Sequence, residues 1–309
     1  MNHKLLVVGT MAYDAIETPF GQVDKILGGA ATYIGLSAAR FDLDCAIVSV
    51  VGSDFKAEHL ELLEKKGIDL SGVEMVEGGK TFFWSGRYHN DLNTRTTLDT
   101  QLNVLESFEP IIPEHLSTPD IVMLGNLSPD VQLKALEQLK SQPKLIVLDT
   151  MNFWMEHFRP SLDKVIAKVD VISINDEEAR QLTGEYSLVR AADQIHRMGP
   201  QYVIIKKGEH GALLFYKNQI FCVPALPLEE VFDPTGAGDS FAGGFAGYLT
   251  QTGDISFENM KSAIVYGSAM ASFTVEKFGT DNLVHFTPTM MNDRLRAFKE
   301  LTTFEIEVE

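Results

Sequence analysis

Short apolar runs alternate with amphipathic stretches along most of the chain. The apolar runs are rich in Leu, Ile and Val, as buried strands are, whereas the stretches between them repeat their apolar positions every three to four residues, as helices do. Strands that alternate with helices in this way indicate βαβ units around a mainly parallel sheet. The predicted strands are 4–9, 44–51, 120–124, 144–149, 170–174, 202–206, 211–216 and 219–223, and the predicted helices are 30–40, 55–66, 130–140, 176–182, 188–198, 237–249 and 257–277.

Two stretches depart from this alternation. Residues 12–27 and 73–104 contain segments with a period of two, and no helical pattern lies within them. Such segments predict antiparallel strands. Because the two stretches flank one βαβ unit, we predict that they form one small sheet, a lid inserted into an α/β domain made of residues 1–11, 28–72 and 105–309. A β-meander that extends the main sheet is the alternative.

Charge excludes several classes of partner. The sequence has 43 acidic and 26 basic side chains and a formal net charge of −17. No run rich in Lys or Arg is present, so we expect neither nucleic acid nor an anionic membrane surface as a partner. The two cysteines, Cys45 and Cys222, lie in apolar, strand-like runs, and we interpret both as buried thiols of a cytoplasmic protein. We expect no secretion signal and no membrane span.

The segment with the clearest chemistry is DPTGAGDSFAGGF, residues 233–245. Its small residues Gly236, Ala237 and Gly238 allow backbone amides to approach an anion, and the helix predicted to start there adds its unpaired amides and positive dipole end. Asp239 lies at the mouth of this anion hole, where a carboxylate is suited to accept a proton from a hydroxyl group. A glycine-rich turn before a tightly packed helix is the purely structural alternative.

This segment resembles the second signature of the ribokinase-like (PfkB) carbohydrate kinases. The resemblance extends over nearly the whole chain, through Asp14 after the first strand, Gly28-Gly29 before a helix, residues 175–178 (NDEE) after a strand, and the turn 207–211 (KGEHG). It implies a ribokinase-like three-layer α/β/α fold with a small β-sheet lid. It also implies an ATP- and Mg²⁺-dependent kinase that transfers the γ-phosphoryl group to a primary hydroxyl of a small sugar or nucleoside.

The resemblance further implies roles for individual residues. Asp239 would be the general base, while the small residues before it would hold phosphate oxygens. Asn175 would lie near the nucleotide phosphates, and Glu178 would organise Mg²⁺ through water. From the residues alone, Asn175 is more simply the N-cap of a helix. Asp233, with the backbone of Thr235, would contribute to a monovalent-cation site for K⁺.

Two further groups of contacts follow from the same resemblance. An adenine and ribose loop would include Lys206, Lys207, Gly208 and Gly211, with Ser268 near the base; an ordinary hairpin is the alternative for the loop. Substrate contacts would come from Asp14, Gly28, Gly29 and Asn126.

The chain departs from sugar-specific relatives on the substrate side. Those relatives read Gly-Gly-Lys-Gly-Ala-Asn, whereas this chain has Ala30 and Tyr33 at the Lys and Asn positions, and Leu127 falls where ribokinases have a substrate-binding Glu. These changes argue against free ribose. Stacking on a nucleobase is one role for the aromatic residues near the predicted site, and membership of the sheet core is the alternative. They are Tyr13, Tyr33, Phe82, Phe83, Trp84 and Tyr88.

Several alternatives stay open from the sequence. A ribonucleoside kinase is the narrower version of the assignment, and a catalytically silent nucleotide- or metabolite-binding protein is the alternative of another class. Neither a Walker A sequence nor a dinucleotide-binding glycine motif is present.

The predicted phosphate-binding segment has no cationic side chains of its own, since no Lys or Arg lies between Lys217 and Lys261. Phosphate binding there needs backbone amides and Mg²⁺. The candidate cations from elsewhere in the chain are Lys206, Lys207, Arg87 and Arg95. The lid is compatible with a monomer or with a homodimer paired through it.

Overall fold

The computed structural model describes residues 3–305 and contains thirteen strands in two sheets. The strands are β1 (Lys4–Val8), β2 (Ala12–Thr18), β3 (Gly21–Gly28), β4 (Asp44–Gly52), β5 (Ile68–Val76), β6 (Phe83–Tyr88), β7 (Arg95–Gln101), β8 (Ile121–Leu124), β9 (Leu145–Asp149), β10 (Val171–Asn175), β11 (Tyr202–Lys206), β12 (Ala212–Tyr216) and β13 (Gln219–Val223). The larger sheet has nine strands in the order β13-β12-β11-β10-β9-β8-β1-β4-β5. Its neighbours pair in parallel except at the β11-β12-β13 edge, which confirms the predicted mainly parallel sheet.

Helices cover both faces of this sheet because its central strands are apolar on both sides. Alternate residues of β1 enter two separate cores, Leu5 and Val7 on one face and Leu6 and Val8 on the other. The first core is closed by α1 (Ala30–Ala38), α2 (Ala57–Lys65), α8 (Ala237–Thr252), α9 (Phe257–Thr274), α10 (Asp281–His285) and α11 (Pro288–Thr302). The second core is closed by α3 (Pro129–Glu137), α4 (Asn152–His157), α5 (Arg159–Ile166), α6 (Asp176–Thr183) and α7 (Leu188–Met198). The predicted three-layer architecture is therefore confirmed.

The smaller sheet has four strands in the order β3-β2-β6-β7, and it joins the two stretches that were predicted to meet. Its outer pairs, β2-β3 and β6-β7, are antiparallel hairpins, but the central pair β2-β6 is parallel. The prediction of purely antiparallel strands is wrong for this pair. The chain passes through β3, α1, β4, α2 and β5 between β2 and β6, and a crossover of that length allows the strand to return in parallel.

The predicted lid boundary at residue 73 is also wrong. Residues 73–76 are the second half of β5, which pairs with β4 as the edge strand of the large sheet. Most of β5 is exposed or half-buried, so its mixture of apolar and polar residues cannot be distinguished by sequence from that of the small sheet. The prediction that both cysteines are buried is wrong for one of them, also because it lies in an edge strand. Cys45 is buried, but Cys222 is exposed because β13 is the opposite edge strand.

The strand order reverses around β1. The chain leaves β1 towards β4 and β5 on one side and returns to β8 on the other. In open α/β sheets, ligands bind in the crevice outside the carboxyl ends of the strands at such a switch point. Polar residues end three strands at this edge, namely Asp149, Asn175 and Lys206. Among residues 3–305, no helix is long and apolar enough to cross a membrane.

Candidate active site

The anion hole predicted from the sequence lies at the start of α8. Gly236 is the N-cap and has a left-handed backbone (φ 74°), and the ring of Tyr33 lies where a side chain would start, 2.4 Å from a β-carbon built there. Glycine is therefore required on both counts. The amide of Ala237 donates to the Pro234 carbonyl at 3.2 Å. The amides of Gly238 and Asp239, as the second and third helical residues, have no intrahelical acceptor and are therefore available to an anion.

Asp239 lies in the crevice with its carboxylate among other charges. Burial raises the pKa of Asp239 to about 7, and the neighbouring carboxylate of Asp149 adds to the rise, while Lys206 and Arg95 act in the opposite direction. A carboxylate with a pKa near the working pH is suited to act as a general base, since it is ionised in a large fraction of molecules and still holds a transferred proton.

Lys206 supplies positive charge at the anion hole. Its Nζ lies 2.8 Å from Oδ2 of Asp149, and a β-carbon built on Gly238 would lie 3.1 Å from the same Nζ. Burial lowers the pKa of Lys206, but Asp149, Glu178 and Asp239 outweigh that effect, and the pKa is raised overall. The ammonium group is therefore cationic, and it lies beside the free amides.

Asn175 and Glu178 form a reciprocal capping box at the start of α6. The Glu178 amide donates to Asn175 Oδ1 at 2.7 Å, and the Asn175 amide donates to Glu178 Oε2 at 2.8 Å. The predicted N-cap is thus confirmed. Burial raises the pKa of Glu178 to about 7, and Asp149 adds to the rise while Lys206 opposes it.

Two carboxylates, those of Glu178 and Asp149, act on Lys206 beside the start of α8. Carboxylate oxygens suit a hard divalent cation such as Mg²⁺, so these residues would fit an ion that binds nucleotide phosphates and keeps part of its hydration shell. Within residues 3–305, no group of three or more His, Cys, Asp or Glu side chains is arranged to hold a metal ion.

Asp14, in β2, is the acidic residue that was predicted on the substrate side. A β-carbon on Gly28 would lie 1.9 Å from Asp14 Oδ2, so the carboxylate rests directly against the Gly28 backbone. The amide of Gly29, which precedes α1, donates a hydrogen bond to this carboxylate. Burial raises the pKa of Asp14 to about 7, and the charges of Asp233 and Asp239 raise it further. The structure thus brings Asp14, Gly28 and Gly29 together, within electrostatic range of Asp239.

The side chain of Asn126, a predicted substrate contact, contacts other side chains of the protein. Its Oδ1 accepts a hydrogen bond from Nε1 of Trp154 at 2.8 Å, and its Nδ2 lies 3.1 Å from Sδ of Met151. The adjacent Leu127 is buried in the second core. Leu127, which the resemblance places where ribokinases have a substrate-binding Glu, is therefore a core side chain.

The turn from Lys207 to Gly211 joins β11 to the antiparallel β12, as the hairpin interpretation predicts. The Lys207 amide donates to the Gly211 carbonyl at 2.7 Å, and residues 208–210 form a short 3₁₀ helix. A β-carbon on Gly208 would lie 2.7 Å from Oδ1 of Asn93, which belongs to the β6-β7 connection. The small sheet thus reaches this turn. Ser268, which was also predicted to lie near the adenine base, is largely buried within α9.

Asp233 is completely buried under the loop that precedes α8. Its Oδ1 accepts a hydrogen bond from the Thr235 amide at 2.8 Å, and its Oδ2 accepts one from the Gly279 amide at 3.0 Å. Burial raises the pKa of Asp233. Asp233 therefore ties the loop of the anion hole to the segment that follows α9.

Sequence reasoning missed Asp149 and left Arg95 as one of four candidate cations. Arg95, the first residue of β7, acts on the pKa of both Asp239 and Glu178, whereas Arg87 pairs with Glu17 at 2.8 Å. A signal for Asp149 was available, because it is an acidic residue that ends an apolar strand at the carboxyl edge of a parallel sheet. Nothing in the sequence distinguishes Arg95 from Arg87.

The aromatic residues near the site fall into two groups. Tyr13, Tyr33 and Tyr88 are buried and present no free ring face, whereas Phe82, Phe83 and Trp84 are half-buried. Trp84 pairs directly with Asp14 across β2 and β6. Directly paired residues point to the same face of a sheet, so Trp84 shares the face of the substrate-side carboxylate.

Comparison with known proteins agrees with this arrangement. The profile of the pfkB family carbohydrate kinases matches residues 2–286. The cytidine kinase of Thermococcus kodakarensis is 34% identical in an alignment of 251 positions that covers 79% of this chain and 88% of that protein. The nucleoside kinase of Methanothermobacter thermautotrophicus is 28% identical in an alignment of 308 positions that covers 90% of this chain and 91% of that protein.

A solved structure shows the same fold. The aminoimidazole riboside kinase from Salmonella enterica, complexed with aminoimidazole riboside and an ATP analog, aligns with a TM-score of 0.74 at 20% identity. The alignment covers 95% of this chain and all of that chain (100%). The chain therefore belongs to the pfkB family of carbohydrate kinases, phosphotransferases that act on a hydroxyl group.

Proposed function

We propose that the protein is an ATP- and Mg²⁺-dependent kinase that phosphorylates the primary hydroxyl of a ribonucleoside. The observation that carries the proposal is the position of Asp239, a carboxylate whose pKa is raised to about 7, at an anion hole that Lys206 also faces. A catalytically silent binding protein does not need a carboxylate whose pKa is raised to about 7 beside an anion hole. The small sugars that the family phosphorylates are the broader class within which the ribonucleoside is the specific proposal.

In the proposed reaction, Asp239 accepts the proton of the primary hydroxyl as the oxygen attacks the γ-phosphorus of ATP. The bond from that phosphorus to the β-γ bridging oxygen breaks, and ADP leaves. The amides of Gly238 and Asp239, together with the ammonium group of Lys206, stabilise the charge on the transferring group. Mg²⁺, held through water by Glu178 and Asp149, would supply further neutralisation of the phosphates.

The remaining nucleotide contacts are part of the same proposal. We assign the adenosine of ATP to Lys207, Gly208, Gly211 and Ser268, and the region of its phosphates to Asn175. Contact between the β6-β7 connection and the turn at Gly208 supports closure of the small sheet over this side as a lid. We also assign Asp233 to a K⁺ site, which its completely buried carboxylate and its hydrogen bond from the Thr235 amide favour.

Three observations favour a ribonucleoside over a free sugar. Leu127 belongs to the core, so the acidic contact of ribokinases has no counterpart at that position. Trp84 lies on the same face of the small sheet as Asp14, where an aromatic ring is suited to contact a base while the carboxylate accepts sugar hydroxyls. The relatives named cytidine kinase and nucleoside kinase support the same class.

Replacing Trp84 should test the nucleoside side of the proposal. A β-carbon on Gly86 would lie 2.1 Å from the Trp84 ring, so one part of the indole packs on its own strand. Loss of stacking with a base costs about 1–3 kcal/mol, so we expect Trp84→Ala to lower kcat/KM for a nucleoside by roughly tenfold or more. Trp84→Phe should retain most of the activity. Equal losses for a nucleoside and for free ribose would exclude a contact with the base.

The pH dependence of acceptor turnover follows from two carboxylates. Asp239 must be ionised to accept a proton, and Asp14 must be ionised to accept hydroxyl hydrogen bonds, while burial raises the pKa of each to about 7. We therefore expect kcat/KM for the acceptor to rise with pH up to about 7 and to fall steeply, with a limiting slope near two, below it. Asp14→Asn should reduce that slope to one. A profile that stays flat down to pH 5 would contradict both assignments.

A substrate panel tests the proposal as a whole. The protein is incubated with ATP, Mg²⁺ and single ribonucleosides, deoxynucleosides or sugars, and release of ADP is followed. We expect ADP release that requires a ribonucleoside and stops when EDTA removes the metal. Release only with free sugars would replace the ribonucleoside with a sugar, and silence over the whole panel would favour a binding protein.

A further inference from the structure

Tyr33 is buried, yet its hydroxyl group forms no hydrogen bond within the described residues of the free protein. The side chain is only 1% exposed, and its Oη has no hydrogen-bond partner among the described residues. Burial of a hydroxyl without a partner costs stability. Other buried polar atoms of the described residues, such as Oγ of Ser173, share this lack of a partner. The position of Tyr33 is therefore what points to a ligand.

The surroundings of Tyr33 place this hydroxyl within the site. Its ring packs against Gly236 at the start of the anion hole. Burial raises the pKa of Tyr33 well above its usual value, and the charges of Asp14, Asp233 and Asp239 raise it further. The phenol therefore keeps its proton and is available as a hydrogen-bond donor near the substrate-side carboxylate and the proposed base.

A donor at this place complements the two carboxylates. Once ionised, Asp14 and Asp239 can only accept hydrogen bonds. A sugar hydroxyl that donates to a carboxylate still has lone pairs, and a ribose ring oxygen has only lone pairs, so these oxygens need a donor.

We propose that Tyr33 contacts the acceptor substrate, its hydroxyl donating a hydrogen bond to a sugar oxygen held between Asp14 and Asp239. The inference rests on the proposed function, because it requires a hydroxylated acceptor in this site. Tyr33 then distinguishes acceptors that present an oxygen at that point from those that do not.

Tyr33→Phe is the direct test, since phenylalanine keeps the ring against Gly236 and removes only the hydroxyl. For the acceptor found in the substrate panel, we expect kcat/KM to fall about tenfold while KM for ATP is unchanged. In the free protein, we expect Tm to rise by about one to three degrees, because the variant no longer buries an unpaired hydroxyl. A merely structural hydroxyl would give the opposite pair of results.

Tyr202→Phe is the matched control. Tyr202 is also buried, but its hydroxyl donates to the Ile255 carbonyl at 3.2 Å, and it lies at the start of β11, away from the carboxyl edge. We expect this variant to lower Tm and to leave kcat/KM for the acceptor unchanged. The contrast separates loss of a substrate contact from loss of a structural hydrogen bond.

A second measurement uses acceptor analogues that each lack one sugar hydroxyl. If Tyr33 donates to a hydroxyl, the wild-type protein should discriminate against the matching analogue and Tyr33→Phe should lose about tenfold of that discrimination. If it donates to the ring oxygen, a carbocyclic analogue should show the same loss. Unchanged kcat/KM for Tyr33→Phe, with wild-type turnover present, overturns the inference and leaves the proposed function intact. A wild-type protein that phosphorylates no acceptor overturns both.

Discussion

Replacing Asp239 with Asn should remove turnover of every acceptor while ATP still binds. The amide keeps the size of the carboxylate and leaves the backbone amides of the anion hole in place, but it cannot accept the proton of the attacking hydroxyl. Loss of a general base costs about 10²–10⁴-fold in kcat. We expect a loss in this range or larger, with a change of only a few-fold in the Kd for ATP measured by calorimetry. Retained turnover would exclude Asp239 as the base.

The same variant should also show that the ionised carboxylate of Asp239 lowers the stability of the free protein. The pKa of Asp239 is raised from its ordinary 3.8 to about 7, so its contribution to stability is fully present below about pH 4 and is lost as the pH rises through 7. Asn resembles the protonated acid at every pH. We therefore expect the Tm of Asp239→Asn to exceed that of the wild type at pH 8 and to match it near pH 4. A variant that is less stable at pH 8 would contradict the raised pKa.

Replacing Lys206 with Met should affect both stability and catalysis strongly. Lys206 and Asp149 form an ion pair whose side chains are only 16% and 10% exposed. Removal of one partner of such a pair leaves a buried charge without compensation and costs roughly 3–5 kcal/mol. Glu178 and Asp239 lose the same counter-charge, so we expect their pKa values to rise further. The loss of stability should therefore be large at pH 8 and smaller near pH 5, where the carboxyl groups take up protons.

Catalysis by Lys206→Met should fail for a separate reason, because the ammonium group faces the anion hole. Loss of one such stabilising group typically costs 10²–10³-fold in rate, so we expect at least about a hundredfold fall in kcat/KM for ATP. The double variant Lys206→Met with Asp149→Asn separates the two effects, since it removes the unpaired Asp149 charge. We expect it to regain part of the lost Tm without regaining activity. A single variant with wild-type Tm and an unchanged KM for ATP would refute the role of Lys206.

The features of this molecule that can be predicted from the sequence are those encoded by neighbouring residues. The anion hole and Asp239 lie within one short segment whose residue types state its chemistry, and the capping box of Asn175 and Glu178 spans four residues. The alternation of apolar runs with amphipathic stretches is equally local, and it specifies the parallel sheet. In these cases the spacing along the chain is also the spacing in space.

The features that could not be predicted from the sequence depend on which distant segments of the chain come together. Asp149 pairs with Lys206 across 57 positions of the chain, and Arg95 acts on Asp239 from the small sheet. Neither relation leaves a trace in local periodicity. The assignment of residues 73–76 failed for a similar reason, because a half-solvated edge strand looks the same in either sheet. The short helices α4 and α10 bury one residue each, so they carry almost no periodic signal.

The central claim is that Asp239 activates a primary hydroxyl for attack on the γ-phosphorus of ATP. The most direct test is ³¹P NMR of the products formed from ATP, Mg²⁺ and the best ribonucleoside, with the matching 5′-deoxynucleoside in parallel. We expect one phosphomonoester on the primary hydroxyl for each ADP formed, and no turnover of the 5′-deoxy analogue. Phosphate on a secondary hydroxyl, or inorganic phosphate released equally with both compounds, would contradict it.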